Sequence, residues 1–214
     1  MAVRLGLFGG TFDPPHLGHL IAAQDALMAL DLDRIHFIPA AQPPHKPMPD
    51  VSAPAVRTAM LSAAIGEDTR FVLDDVELKR TGPSYTVDTL REYRTREPGA
   101  QLFLLMGADQ WAEFETWRET DTIRLLATVV VMTREGEGAA DGNITRIPVT
   151  RMDVSSTEVR SRVAHGRPIR YLVPDAVAEL IYARGLYRVG GDRHAPDGVG
   201  SASDSSSRMD ESST

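Results

Sequence analysis

Residues 9–19 read GGTFDPPHLGH. Before them Val3–Phe8 is a short apolar run. After them Leu17–Leu30 carries apolar residues at helical spacing with no proline. A buried strand that hands over to a helix through a glycine-rich turn is the usual anion site of an open α/β sheet. Gly9 and Gly10 let backbone approach a ligand without a side chain in the way. Pro14 and Pro15 fix the approach to the helix, because proline suits a first helical turn and suppresses helix just before itself. His16 and His19 then fall on one face of the first turn, near the positive end of the helix dipole, and are expected to point into the crevice. Gly18 between them leaves room for a flat or bulky group. Zinc fits poorly, since the helical zinc signature sets its histidines four apart around a glutamate. For one histidine, packing is the better reading; for two on one face beside a glycine pair, a phosphate is, and no metal ligand is assigned.

The rest of the chain alternates. Strands are predicted at 34–40, 70–75, 101–107, 128–134 and 144–149. Helices are predicted at 54–65 and 84–97, over ADQWAEFETW and TDTIRLLA, and in SSTEVRSRVAHG and PDAVAELIYARGLY. Continuous apolar strands between amphipathic helices imply an α/β fold: a Rossmann-like, doubly wound, mostly parallel sheet with helices on both faces. Ligands of such sheets bind at the carboxyl ends of the strands, so the loops after Phe8, Ala40, Met106 and Met132 are expected to line the site. The dinucleotide fingerprint G-x-G-x-x-G is absent, and no acidic residue closes a second strand to hold a ribose, which disfavours a dinucleotide-dependent oxidoreductase.

Residues 190–214, GGDRHAPDGVGSASDSSSRMDESST, hold almost no large apolar side chain. Such a segment cannot bury enough surface to repay its ordering entropy, so it reads as a disordered tail behind one domain over 1–189. The formal net charge is -7. A mildly acidic domain lacks the broad basic footprint of a nucleic-acid binder, yet can hold a polyanion where N–H groups and cations converge. There are no cysteines, which excludes disulfides and fits a reducing compartment. MAVRLGLFGG lacks a signal-peptide layout and LLATVVVM (125–132) is too short to span a bilayer, so no membrane association is expected and the location is read as cytoplasmic. Oligomeric state has no signature here.

A second anion site is suggested by VSSTEVRSR at 154–162. Ser155 and Glu158 fit a capping box. That leaves Ser156, Thr157 and Arg160 at a helix N-terminus, where exposed N–H groups accept anions. Alone, the stretch reads as a capped surface helix with a solvated arginine.

The pattern G-x-F-D-P-x-H-x-G-H, complete from Gly10 to His19, resembles the signature of the nucleotidylyltransferase superfamily. The resemblance implies that His16 and His19 are catalytic. They would stabilise the α-phosphate of ATP while another molecule's phosphate attacks it and pyrophosphate leaves, with no covalent enzyme intermediate. It also implies that Gly9, Gly10, Thr11 and Phe12 bind ATP, and that Ser156, Thr157 and Arg160 grip its outer phosphates. Nucleotidyl transfer needs positioning and charge stabilisation above all, which these residue types supply. No carboxylates cluster into a cage, so Mg²⁺ is expected to arrive with ATP.

Three further stretches, GPSYTVDTL (82–90), MGADQWAEFETW (106–117) and YLVP (171–174), resemble bacterial nicotinate-nucleotide adenylyltransferase, over about Arg4 to Tyr187. That family joins ATP to nicotinate mononucleotide, yielding nicotinate adenine dinucleotide and pyrophosphate in NAD biosynthesis. The resemblance puts Trp117 against the pyridine ring. It puts backbone at Tyr85, Thr86 and Arg118 on the carboxylate, Gly107 and Asp109 at the ATP ribose, and His45 and Lys46 at the mononucleotide phosphate. Thr86 sits at a helix start, which favours a carboxylate over a neutral amide. The bland readings are a core Trp117, a packing Tyr85 and an N-capping Asp109; Trp111 reads as packing. Arg118 stands where many members carry an aromatic residue. The alternatives are another small-molecule adenylyltransferase, such as the phosphopantetheine enzyme, and a non-catalytic nucleotide-binding module.

Overall fold

A computed structural model describes residues 2–42, 51–133 and 144–188. His45, Lys46 and the 190–214 tail lie outside these residues. The described elements are β1 (Arg4–Gly10), α1 (Leu17–Ala29), β2 (Arg34–Pro39), α2 (Pro54–Ile65), β3 (Phe71–Leu73), α3 (Thr86–Arg96) and β4 (Gln101–Gly107). They continue with α4 (Ala108–Ala112), a 3₁₀ turn (Phe114–Thr116), α5 (Thr120–Leu126), β5 (Thr128–Thr133), β6 (Ile144–Pro148), α6 (Ser156–Ala164) and α7 (Asp175–Ala183).

The six strands form one sheet in the order β3-β2-β1-β4-β5-β6. Every pairing is parallel, so the mostly parallel, doubly wound expectation becomes an entirely parallel sheet. From β1 the chain winds outward through β2 to β3. It then returns to β4, on the other side of β1, and winds the opposite way to β6. The β1/β4 boundary is therefore the topological switch point, where a crevice opens at the carboxyl ends.

Alternation along the strands divides the core into two faces. Leu5 and Leu7 of β1, with Leu102, Leu104 and Met106 of β4, pack against Val87, Leu90 and Tyr93 of α3 and Ile123 of α5. Phe8, Phe103 and Leu105 face the other way, against Ala23, Ala26 and Leu27 of α1 and Leu61 of α2. Ala23, Ala26 and Leu27 follow the i, i+3, i+4 spacing of a core-facing stripe. On this second face α6 and α7 add an outer layer on α2, with Val159, Val163, Val177 and Ile181 around Met60.

Two predicted elements change. The strand expected at 70–75 is Phe71–Leu73. It stops because the Asp74 carboxylate accepts the Val76 N–H at 3.0 Å and turns the chain. The helix expected over ADQWAEFETW is split into α4 and the 3₁₀ turn, and Trp117 itself is extended, at φ -74° and ψ 155°. Helix α3 is fastened at its far end: the Tyr93 hydroxyl donates to Asp74 at 2.6 Å and lies 2.9 Å from His36 Nδ1. That buried network anchors the helix whose first residue is Thr86. Among the described residues, no helix is long and apolar enough to cross a membrane.

Candidate active site

The turn after β1 crosses the crest of the sheet at the switch point. Phe12 adopts φ 51° there, a conformation that a bulky residue rarely accepts, and its ring folds back over Gly10. A Cβ on Gly10 would meet that ring at 2.9 Å. Phe12, Asp13 and His16 are all buried.

The turn is held from several directions. Asp13 Oδ2 accepts the Ser52 N–H at 3.0 Å and Oδ1 accepts the Tyr187 hydroxyl at 2.6 Å. The guanidinium of Arg57, 1% exposed, donates to the Thr11 carbonyl at 2.9 Å and the Ser52 carbonyl at 3.0 Å. Burial pulls the Arg57 guanidinium below its usual value, and the charge of Asp13 opposes that. Burial and the Asp13 charge push the Tyr187 phenol up, so its hydroxyl stays a donor.

His16 is the N-cap of α1 and His19 is its third helical residue. The histidines thus straddle the helix start rather than both lying within the first turn. Their rings stack, centroids 3.7 Å apart and 24° from parallel, and the His19 ring lies 5.1 Å from that of Phe12. His19 Nδ1 accepts the His16 backbone N–H at 3.1 Å. A neutral imidazole that accepts at Nδ1 carries its proton on Nε2, so His19 offers a donor from its far edge. Burial holds the His16 imidazole down at about 4. Burial first, and then the neighbouring His16, hold His19 well below its ordinary value. Both rings are neutral at pH 7. A Cβ on Gly18 would lie 3.1 Å from His16 Nδ1 and 3.0 Å from Val154, so this glycine makes room for the His16 ring rather than for a ligand.

A pocket opens between the turn and the start of α3. Its lining includes Gly9, Gly10 and Thr11 together with Tyr85, Thr86, Trp117 and Arg118. Four of the residues expected to meet the acceptor thus come together, on a cavity that starts at the motif's own backbone. Thr86 is the first residue of α3, with Tyr85 as its N-cap, so free N–H groups end at this cavity. Trp117 packs its ring 5.5 Å from that of Phe114. Trp111 stacks on Phe114 under Arg146, outside the lining, as a packing residue would. The two histidines are not among the residues that line this pocket, whereas Gly9, Gly10 and Thr11 of the same motif are.

Some expected ligands have other partners here. Arg160 donates to the Asp13 carbonyl at 2.7 Å and to Thr157 Oγ1 at 3.3 Å, and the Ser156 hydroxyl donates to the Pro14 carbonyl at 2.8 Å. The start of α6 is therefore docked onto the motif turn. Of the expected capping box only half forms: Ser155 Oγ accepts the Glu158 N–H at 3.1 Å, while the Glu158 carboxylate pairs with Arg162 at 2.7 Å. Asp109 is exposed in the first turn of α4, whose N-cap is Gly107. A Cβ on Gly107 would meet nothing within 4 Å.

Sequence reasoning missed the clamp residues Arg57, Ser52 and Tyr187. Arg57 had a signal, since it shares the spacing of buried Met60 and Leu61 and a cation on a core stripe needs a partner. It also missed the pocket's own brace. Glu77 is buried and accepts the Thr89 hydroxyl at 2.8 Å and a bond from Ser84; burial raises its carboxyl despite these. Ser84 Oγ in turn accepts the Ala41 N–H at 3.2 Å, which ties the approach to α3 to the loop after β2.

Residues 7–162 match the cytidylyltransferase-like family. A Thermus thermophilus protein named "probable nicotinate-nucleotide adenylyltransferase" is 47% identical over 188 residues, covering 87% of this chain and 100% of its own. A Shouchella clausii protein of the same name is 43% identical over 185 residues, covering 86% and 96%. Among solved structures, the nicotinic acid mononucleotide adenylyltransferase of Plasmodium falciparum complexed with NaAD superposes with a TM-score of 0.70 at 16% identity, over 86% of this chain and 97% of that one. At that identity the likeness is one of fold.

Proposed function

The chain belongs to the cytidylyltransferase-like family and, within it, with the nicotinate-nucleotide adenylyltransferases, and from this we propose how its residues divide the work of that reaction. It transfers the adenylyl group of ATP to nicotinate mononucleotide in NAD biosynthesis. An oxygen of the mononucleotide phosphate forms a bond to the α-phosphorus. The bond from that phosphorus to the α,β-bridging oxygen breaks, and pyrophosphate leaves with the electron pair. No enzyme nucleophile takes part.

The observation that carries this reading is the pocket that runs from Gly9, Gly10 and Thr11 to Thr86 and Trp117. A molecule with an aromatic ring at one end and a phosphate at the other fits that layout. Its ring lies against Trp117, and its phosphate reaches the motif turn. ATP lies along the motif turn at Gly9–Phe12, with its α-phosphate under His19 Nε2 and His16. As neutral donors the imidazoles stabilise charge without needing a proton from solvent. Gly107 and Asp109 take the ATP ribose. Thr157 and Arg160 take the outer phosphates: a guanidinium has five N–H donors, and the contacts to Asp13 and Thr157 use two NH groups. His45 and Lys46 are assigned, by their place in the sequence, to the mononucleotide phosphate. The described residues contain no group of three or more metal-ligating His, Asp or Glu side chains. Mg²⁺ is assigned to the nucleotide substrate, whose phosphate oxygens it would bridge. The cysteine-free chain suits a reducing, cytoplasmic setting.

The test is pyrophosphate release from ATP with nicotinate mononucleotide, for wild type and His19→Ala. The expected result is turnover by wild type and a kcat lower by roughly 10²-fold in a folded variant, as for loss of a charge-stabilising donor. Tight ATP binding without pyrophosphate would favour a nucleotide-binding module. A near-normal kcat in the variant would remove His19 from the chemistry.

A further inference from the structure

We infer that the Arg118 side chain, and not only its backbone, reads the carboxylate of the acceptor, and so sets the preference of the pocket for an acid over an amide. The inference rests on the acceptor pocket proposed above. Among the described residues Arg118 is the only cation lining that pocket, and two carboxylates, Glu77 and Glu113, line it as well. Without Arg118 an acidic wall would face an anionic substrate.

Arg118 is also held in place for this task. Its guanidinium lies over the Tyr85 ring, 4.8 Å from the centroid, a stacking that restricts a long side chain and leaves its N–H edge available. Its nearest acid, Glu119, is 3.6 Å away, beyond hydrogen-bond reach. Both Glu119 oxygens are taken up by Arg91, at 3.3 and 2.5 Å. Position decides which end of the acceptor is read. Gly9–Thr11 and the aromatic pair Trp117 and Tyr85 all line the pocket; with the phosphate at Gly9–Thr11, where transfer occurs, the ring lies against the aromatic pair. The group that the guanidinium beside them meets is the ring substituent.

The test is the ratio of kcat/KM for nicotinate mononucleotide to that for its amide form, measured in wild type, Arg118→Gln and Arg118→Lys. Arg118→Gln should raise the KM for the acid by about tenfold, the size of a charge-assisted contact at a half-exposed site. The acid-to-amide ratio should fall with it, and raised salt should increase the acid KM of wild type more than that of the variant. Arg118→Lys should recover part of the ratio. An unchanged ratio in Arg118→Gln, or an equal loss on both substrates as for a phosphate contact or a purely structural role, would overturn the inference while leaving the adenylyltransferase reading intact. Failure of wild type to form a dinucleotide from either substrate would overturn both.

Discussion

Lowering the pH should cost this fold stability through His16, by an amount that follows from the burial of its ring. The folded imidazole titrates at about 4 against an ordinary value of 6.5. A base with a depressed folded value binds its proton first in the unfolded chain. Its contribution is therefore complete above pH 6.5 and is lost as the pH falls toward 4. At 1.36 kcal/mol per pH unit, the loss between pH 7 and pH 4 is about 3 kcal/mol. For a domain of this size that is a drop in Tm on the order of 10 °C. His19 acts in the same direction, because its folded value is also depressed.

Acid protonates carboxylates too, so the measurement is a difference. Urea unfolding of wild type and His16→Asn is followed from pH 7 to pH 4. The wild-type free energy should fall by about 3 kcal/mol more than that of the variant over this interval. Parallel pH profiles would show that the His16 ring is solvated, and would refute burial as a source of acid sensitivity here.

Tyr187→Phe leaves Asp13 Oδ1 without its 2.6 Å donor; a loss of about 2 kcal/mol in urea unfolding is expected for a hydrogen bond to a charged group, and a loss under about 0.5 kcal/mol would place Tyr187 outside the clamp. Gly6→Ala and Gly9→Ala should fail in opposite ways. A Cβ at Gly6 meets Ile35 and Leu32 at 2.9 Å, and overpacking of that kind costs roughly 1–3 kcal/mol of stability. A Cβ at Gly9 meets nothing within 4 Å but enters the pocket wall, so Gly9→Ala should unfold like wild type and bind nicotinate mononucleotide more weakly; calorimetric binding equal to wild type would remove Gly9 from the site.

What was legible in the sequence was what local pattern determines. The run Val129–Val131 is fully buried in β5, as three consecutive β-branched residues suggest, and Thr86 opens α3. The place of the motif, at the turn from the first strand to the first helix, followed from the apolar pattern alone; that this strand borders the switch point is set by the spatial order of the sheet. What was not legible depends on partners distant in the chain. Glu158 has the spacing of a capping box, but Arg162, four residues on, competes for its carboxylate and holds it. The break after Ala112 follows from burial of Phe114 between Trp111 and Trp117, which no propensity encodes. The Asp13 clamp joins residues 39 and 174 positions away; a spacing rule built on helical or strand period has no access to such a pair.

That clamp also explains why the motif extends beyond its two histidines. Phe12 is held at φ 51°, and strained backbone persists only where its surroundings over-determine it. Here Arg57 holds the Thr11 carbonyl, Arg160 the Asp13 carbonyl and Ser156 the Pro14 carbonyl. Three carbonyls of one short turn are thus directed outward onto donors from α2 and α6. The histidines that follow inherit their position from this arrangement, before any ligand arrives. Transfer that relies on positioning rather than on an enzyme nucleophile gains most from such preorganisation. Under the proposed assignment of Arg160 to the outer phosphates, one guanidinium would hold both the Asp13 carbonyl and the nucleotide, and so link ATP binding to the set of the turn.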